Sequence, residues 1–290
     1  MSLAKNFMKS DVGKPLARLL KSTSILQKLS LEFNELSVQG VKWIAKGLMQ
    51  NSSLQSLNIK GNMIGDDGII LLTEGLKQAP ALTHLDVSLN EVGPTGFQAL
   101  CEILQETRIQ SLVCNKNFLG DDVIAYFANI VAEGSSGCLE TFDFSSCRLN
   151  DSGLIFIINA LHNNKTIFSI KLTDNFFSEK VEAVLLETLN KNITLTDIHL
   201  QGNRLSHSCL QKMKKITQRN LKLIEEQEPN KLKAEIYRLR YEHTKLDIAR
   251  SLLSQQQEEI KNVSNYRTTI KAHMESFKTE EQENKKKLKT

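Results

Sequence analysis

The sequence predicts an α/β solenoid of short strands alternating with helices, followed by one long helix. Three observations predict it. A frame of apolar residues returns seven times at a nearly constant interval. A stretch of helical period fills each interval. After residue 205 the frame stops, and a lysine- and glutamate-rich segment with heptad leucines begins.

The frame is LxxLxLxxNxL. Leu26, Leu29, Leu31, Asn34 and Leu36 set it, and it returns at Leu54-Leu57-Ile59-Asn62-Ile64 and Leu82-Leu85-Val87-Asn90-Val92. It continues at Ile109-Leu112-Cys114-Asn117-Leu119 and Leu139-Phe142-Phe144-Cys147-Leu149. Ile167-Ile170-Leu172-Asn175-Phe177 and Leu195-Ile198-Leu200-Asn203-Leu205 complete it. The first positions are spaced by 28, 28, 27, 30, 28 and 28 residues. Alternation within the frame turns the leucines to one face of a short strand. The asparagine falls where the chain leaves that strand and bends. Cys147 stands at one such position and is expected to be structural.

Between frames, residues such as Val41, Ile44 and Leu48, or Ile69, Leu72 and Leu76, recur at helical spacing with one apolar stripe. A single strand-helix unit cannot cover its own apolar face, so the units must stack. The 30-residue unit carries its extra length near Gly134 and Gly137, where a surface loop is expected. Residues 1–25 are expected to form an N-terminal helical cap or a partial repeat. Residues 12–24 match the helical half of a unit, whereas residues 1–10 show no clear strand.

Behind the solenoid, assigned to residues 26–205, a capping helix is expected over 206–228. A long charged helix, expected to pair as a coiled coil, should occupy 230–290. Its seam row is Leu232, Leu239, Leu246, Leu253, Ile260, Arg267 and Met274. The second row reads Glu235, Glu242, Ala249 and Gln256 and becomes consistently apolar only toward the end, at Val263, Ile270 and Phe277. A homodimer or a pairing with a different chain would cover that seam.

Composition limits the function classes. Of 290 residues, 37 are basic and 33 acidic, a net charge of only +4 that argues against nucleic acid as a partner. The imbalance is local. Residues 206–290 hold 19 basic and 12 acidic side chains, against 18 and 21 in residues 1–205. The Lys285-Lys286-Lys287 cluster reads as a solvated end. No apolar run approaches the ~20 residues of a membrane span, and the first ten residues have no apolar core of a signal peptide. Five cysteines without a CxxC pair fit a reducing compartment. The expected location is therefore cytoplasmic.

No GxSxG, HExxH, glycine-rich phosphate loop or dinucleotide fingerprint occurs, and the histidines lack zinc-site spacing. Neither a metal nor a cofactor is expected, and the chain is not expected to be an enzyme. Asp66-Asp67, Asp121-Asp122 and Asp151 fall where each helix should begin, and are expected to cap that helix. The strand face is the candidate site. Its middle row contains Asp86, Val113, Asp143, Lys171 and His199, with Lys60 in the next row out. Phe33 and Leu89 are the apolar exceptions near the loops, and are expected either to anchor a protein partner or to be partly covered by their neighbours.

The seven frames resemble the ribonuclease-inhibitor type of leucine-rich repeat, with its long unit. That resemblance implies a non-catalytic recognition module, in which the asparagine side chains face inward as a ladder that satisfies backbone groups, with Cys147 as the substitute in one unit. Repeats followed directly by a heptad segment look like centrosomal and ciliary scaffold proteins, which implies a place at a centrosome, cilium or flagellum, or in the cytoskeleton. The alternative is a soluble regulatory inhibitor or sensor that holds its partner on the concave face.

Overall fold

Seven strands of three residues each lie side by side in sequence order, all parallel. They are β1 (Lys28–Ser30), β2 (Ser56–Asn58), β3 (His84–Asp86), β4 (Ser111–Val113), β5 (Thr141–Asp143), β6 (Ser169–Lys171) and β7 (Asp197–His199). The computed structural model describes residues 1–134 and 136–227. The heptad expected over residues 232–277 lies outside them, so the seam positions have no structural description here.

Parallel neighbours require a crossover, and each is helical. The helices are α1 (Gly13–Ser22), α2 (Ser37–Leu48), α3 (Gly65–Lys77), α4 (Pro94–Ile103), α5 (Asp121–Ala132), α6 (Asp151–Leu161), α7 (Glu182–Lys191) and α8 (His207–Gln227). Register follows the frame: Leu29 pairs with Leu57, Leu57 with Leu85, Leu85 with Leu112, and Leu112 with Phe142. The inward leucines are almost wholly removed from water. Each such burial contributes roughly 1.5–3 kcal/mol. One continuous core runs from Leu16 in α1 to Ile216 in α8.

The core is filled differently along its length. In the first three units the helices approach through small residues. The Cα of Gly47 faces Ala17 and Leu20, and that of Gly75 faces the Ala45 backbone so closely that an added Cβ would meet its carbonyl oxygen at 2.5 Å. In the middle, rings occupy the space. Phe97, Phe127, Phe142 and Phe144 pack with centroids 4.6–5.9 Å apart, mostly edge to face.

The expected asparagine ladder is present. Asn117 shows its form: Nδ2 donates to the Val87 and Cys114 carbonyls, and Oδ1 accepts from the Asn90 and Val92 amides. Each rung thereby satisfies backbone groups of its own unit and of the unit before it. A second set of asparagines lies at the other end of the strands. Asn51 and Asn192 are buried, each donating across to the preceding unit at 2.7 Å and accepting two amides of its own turn. Their Asn-x-Ser/Thr triplets are thus products of the repeat.

Residues 1–9, where the sequence shows no clear strand, also follow the repeat. Ser2 bridges Ser30 and Lys9 bridges Glu35, both parallel. Asn34 Oδ1 accepts from the Asn6 and Met8 amides, as the other rungs do from their own predecessors. The signal was Met1, Leu3, Asn6 and Met8, which fall at four positions of the frame. At the other end α8 covers the last unit with Cys209, Met213 and Ile216, and Asn220 donates to the Asn192 and Leu195 carbonyls.

The helix-start carboxylates lie in the first turns as expected, where they suit the helix dipole, but their hydrogen bonds go elsewhere. Asp66, Asp121 and Asp151 make no cap to their own helices. They reach instead to the next unit. Asp66 accepts from the Gly93 amide, Asp121 from the Asn150 amide and Ser152 hydroxyl, and Asp151 from the Ser178 amide and hydroxyl. Glu182 does the same at Ser206. The reason is geometric: stacking brings the following unit's turn, with its own unsatisfied donors, within reach of each carboxylate.

Candidate functional site

The outward side chains of β1 to β7 form the strand face, and its middle row is more engaged than a bare reading of the residues conveys. Asp86 Oδ1 accepts from the Ser88 amide, and Asp143 Oδ1 from the Ser145 amide. Asp143 also receives Asn115 Nδ2 at 3.3 Å. Both carboxylates therefore brace the turn beyond their strand. Val113, Asp143 and Lys171 line one shallow groove together with Ser169 and Asp197. Lys171 is exposed there.

His199 lies beside Asp197, with Nε2 3.0 Å from Oδ1, and Ser169 Oγ donates to Asp197 Oδ2 at 2.8 Å. The carboxylate stands between the hydroxyl and the imidazole. Nucleophilic catalysis needs the base to touch the hydroxyl, and this order does not provide it. Among the described residues no group of three His, Cys, Asp or Glu side chains could hold a metal ion, and no helix is long and apolar enough to cross a membrane.

The row one step further out is not uniformly outward, as the alternation had implied. Ser88 is fully buried, with a hydroxyl that finds no partner, and Ser145 is nearly so. The chain there is already bending. The next residue of each unit, including Phe33, Gly61, Leu89, Lys116, Ser146, Asp174 and Gly202, has positive φ.

At this turn Phe33 is 41% exposed. Its ring lies against the Cα of Gly61, where an added Cβ would meet it at 2.8 Å. Lys5 and Lys60 place their Nζ atoms 5.7 and 5.5 Å from its centroid. Lys60 is thus drawn to the ring. Leu89 is only half-exposed, so the two apolar anchors are unequal, and the Gly61 unit separates them.

A different row escaped the sequence reading. The residue just after each ladder position is exposed in every unit. In order it reads Phe7, Glu35, Met63, Glu91, then Phe118, Arg148, Phe176, Arg204. Arg148 stacks its guanidinium 4.3 Å from the Phe118 centroid. Apolar and charged side chains alternate from unit to unit, acidic in the first half and basic in the second. The signal lay in the single variable position inside the NxL part of the frame.

Four cysteines are buried and Cys138 is exposed. Burial pushes the Cys147 thiol up to about 12 and raises Cys114 and Cys101 as well. They remain neutral thiols, unsuited to nucleophilic or metal-binding roles.

The leucine-rich repeat family model, described as "Leucine Rich repeat", matches residues 50–72, 79–101 and 136–157. No curated protein matches the chain. Among solved structures it is similar to "Leiomodin-1 Actin-Binding Site 2 (ABS2)", with 11% identity and a TM-score of 0.32 over 78% of this chain and 96% of that one. The three matched segments and the seven-strand parallel array together describe a leucine-rich repeat solenoid.

Proposed function

We propose that the protein is a non-catalytic interaction scaffold of the ribonuclease-inhibitor repeat type, working in a cytoskeletal, centrosomal or ciliary assembly. The observation that carries the scaffold reading is the uninterrupted parallel sheet whose outward face holds mixed polar side chains in fixed register. Such a face offers many weak, directional contacts and no enclosed reaction site. The heptad leucines from Leu232 onward support an assembly role, since a second helix would cover them. They also favour a structural assembly over a soluble inhibitor, which needs no such segment.

Proximity labelling with the full chain in its native cell tests the placement. Enrichment of centrosomal, ciliary or cytoskeletal proteins is expected. Labelling confined to a soluble complex would replace this reading with that of an inhibitor. Lys171→Glu combined with His199→Glu should reduce capture of the labelled partners while leaving the circular dichroism spectrum intact.

A further inference from the structure

Phe7, Met63, Phe118 and Phe176 stand two units apart along one edge of the solenoid and are 79%, 56%, 45% and 55% exposed. Water penalises each by roughly 25 cal/mol per Å² of apolar surface left uncovered. The fold does not demand them. Glu35, Glu91, Arg148 and Arg204 occupy the same turn in the intervening units, so a charged side chain fits there equally well. The apolar choice in every second unit is therefore not a packing requirement. On the edge itself the charges are Glu35 and Glu91 in the first half, and Arg204 and Arg148, the latter stacked on the Phe118 ring, in the second.

We propose that this edge is a docking ridge for an amphipathic helix of a partner protein. The helix carries one apolar side chain per heptad. It is cationic at the end over Glu35 and Glu91 and anionic at the end over Arg148 and Arg204. Spacing selects a helix. Adjacent strands lie about 4.8 Å apart, so two units span roughly 10 Å, and seven helical residues rise about 10.5 Å. An extended peptide covers that distance in three residues, but its first and fourth side chains point to opposite faces. The ridge thus recognises a helical stripe and sets its direction by charge.

This inference rests on the scaffold reading and names its surface and partner class. Three synthetic helical peptides about four heptads long, each with leucine at every heptad, test it by fluorescence anisotropy against the full chain. One is lysine-rich in one half and glutamate-rich in the other, one is lysine-rich throughout, and one glutamate-rich throughout. The two-signed peptide should bind tightest. Phe118→Ser with Phe176→Ser should weaken it about tenfold or more, with unchanged thermal melting because both rings lie outside the core. Arg148→Glu with Arg204→Glu should switch the preference to the lysine peptide. Equal binding of the three peptides, no binding, or no switch on charge reversal would overturn the ridge. If the ridge fails while native partners are still captured and lost on the Lys171 and His199 substitutions, the scaffold reading stands without it. If that capture fails as well, both fall.

Discussion

The Cys147 thiol donates to the Cys114 carbonyl at 3.2 Å, the place where Asn175 Nδ2 meets the Phe144 carbonyl at 3.0 Å one unit along. The thiol imitates only half of an asparagine. Every asparagine rung also offers Oδ1 to the preceding unit, to one amide at Asn62 and Asn90 and to two at the others, as Asn175 does for Cys147 and Leu149. Cys147 has only a sulfur, a weak acceptor, to set opposite the Asn117 amide. Cys147→Asn should therefore stabilise the protein by about 1 kcal/mol, the net worth of a restored buried hydrogen bond. Urea denaturation measures it, and a lower midpoint than wild type would refute the account.

The same thiol gives the protein an alkaline weakness. Burial holds its pKa near 12 against an ordinary 9.0. Above pH 9 the unfolded chain releases a proton that the folded chain keeps, so stability falls as pH rises from 9 toward 12. The slope approaches ~1.4 kcal/mol per pH unit per thiol. Denaturation midpoints compared at neutral and strongly alkaline pH should drop, and Cys147→Asn should make the drop shallower. An equal drop in both proteins would place the effect elsewhere.

Leu112 is fully buried at the centre of β4, between Leu85 and Phe142. Leu112→Ala should cost roughly 2–5 kcal/mol by opening a cavity between units. Lys60→Ala removes only the cation above Phe33 and should cost less than about 1 kcal/mol. Chemical denaturation of both variants compares them directly, and similar midpoints would contradict the strand register.

Gly75→Ala sets two effects against each other. Helix propensity alone would favour alanine by about 1 kcal/mol. The new methyl group would sit 2.5 Å from the Ala45 carbonyl oxygen, and backbone cannot yield as a flexible side chain does. Overpacking of this kind costs typically 1–3 kcal/mol, so a net loss of melting temperature is expected. A gain would mean that α2 and α3 separate easily.

The segment beyond residue 228 is tested by sedimentation equilibrium. The full chain should gain mass with concentration, and a chain ending at residue 228 should not. Leu246→Asp with Ile260→Asp should abolish the gain without lowering the solenoid's melting temperature. A full chain that stays monomeric at tens of micromolar would remove the homodimer and leave a pairing with a different chain.

Local pattern was enough for the solenoid. Strand and helix positions and the inward leucines follow from spacing along the chain, because each unit repeats one local solution and contacts mainly its neighbours, while the inward asparagines follow from the likeness to the repeat class. The site was less legible. Phe33 and Leu89 look alike in sequence, yet one ring lies flat on a glycine between two lysines and the other side chain is half-covered.

What only the tertiary structure decided are the relationships between units. Asp151 caps the turn at Ser178 and makes no cap to its own helix, since the distance across the stack depends on how helices settle against one another. Residues 1–9 join the array through two isolated bridges and the Asn34 side chain, because Asn34 and β1 lie beside them, whereas their own propensity is weak. The alternating edge from Phe7 to Arg204 exists only once eight turns are aligned. A row of side chains nearly thirty residues apart has no local signature, and stacking alone makes them neighbours.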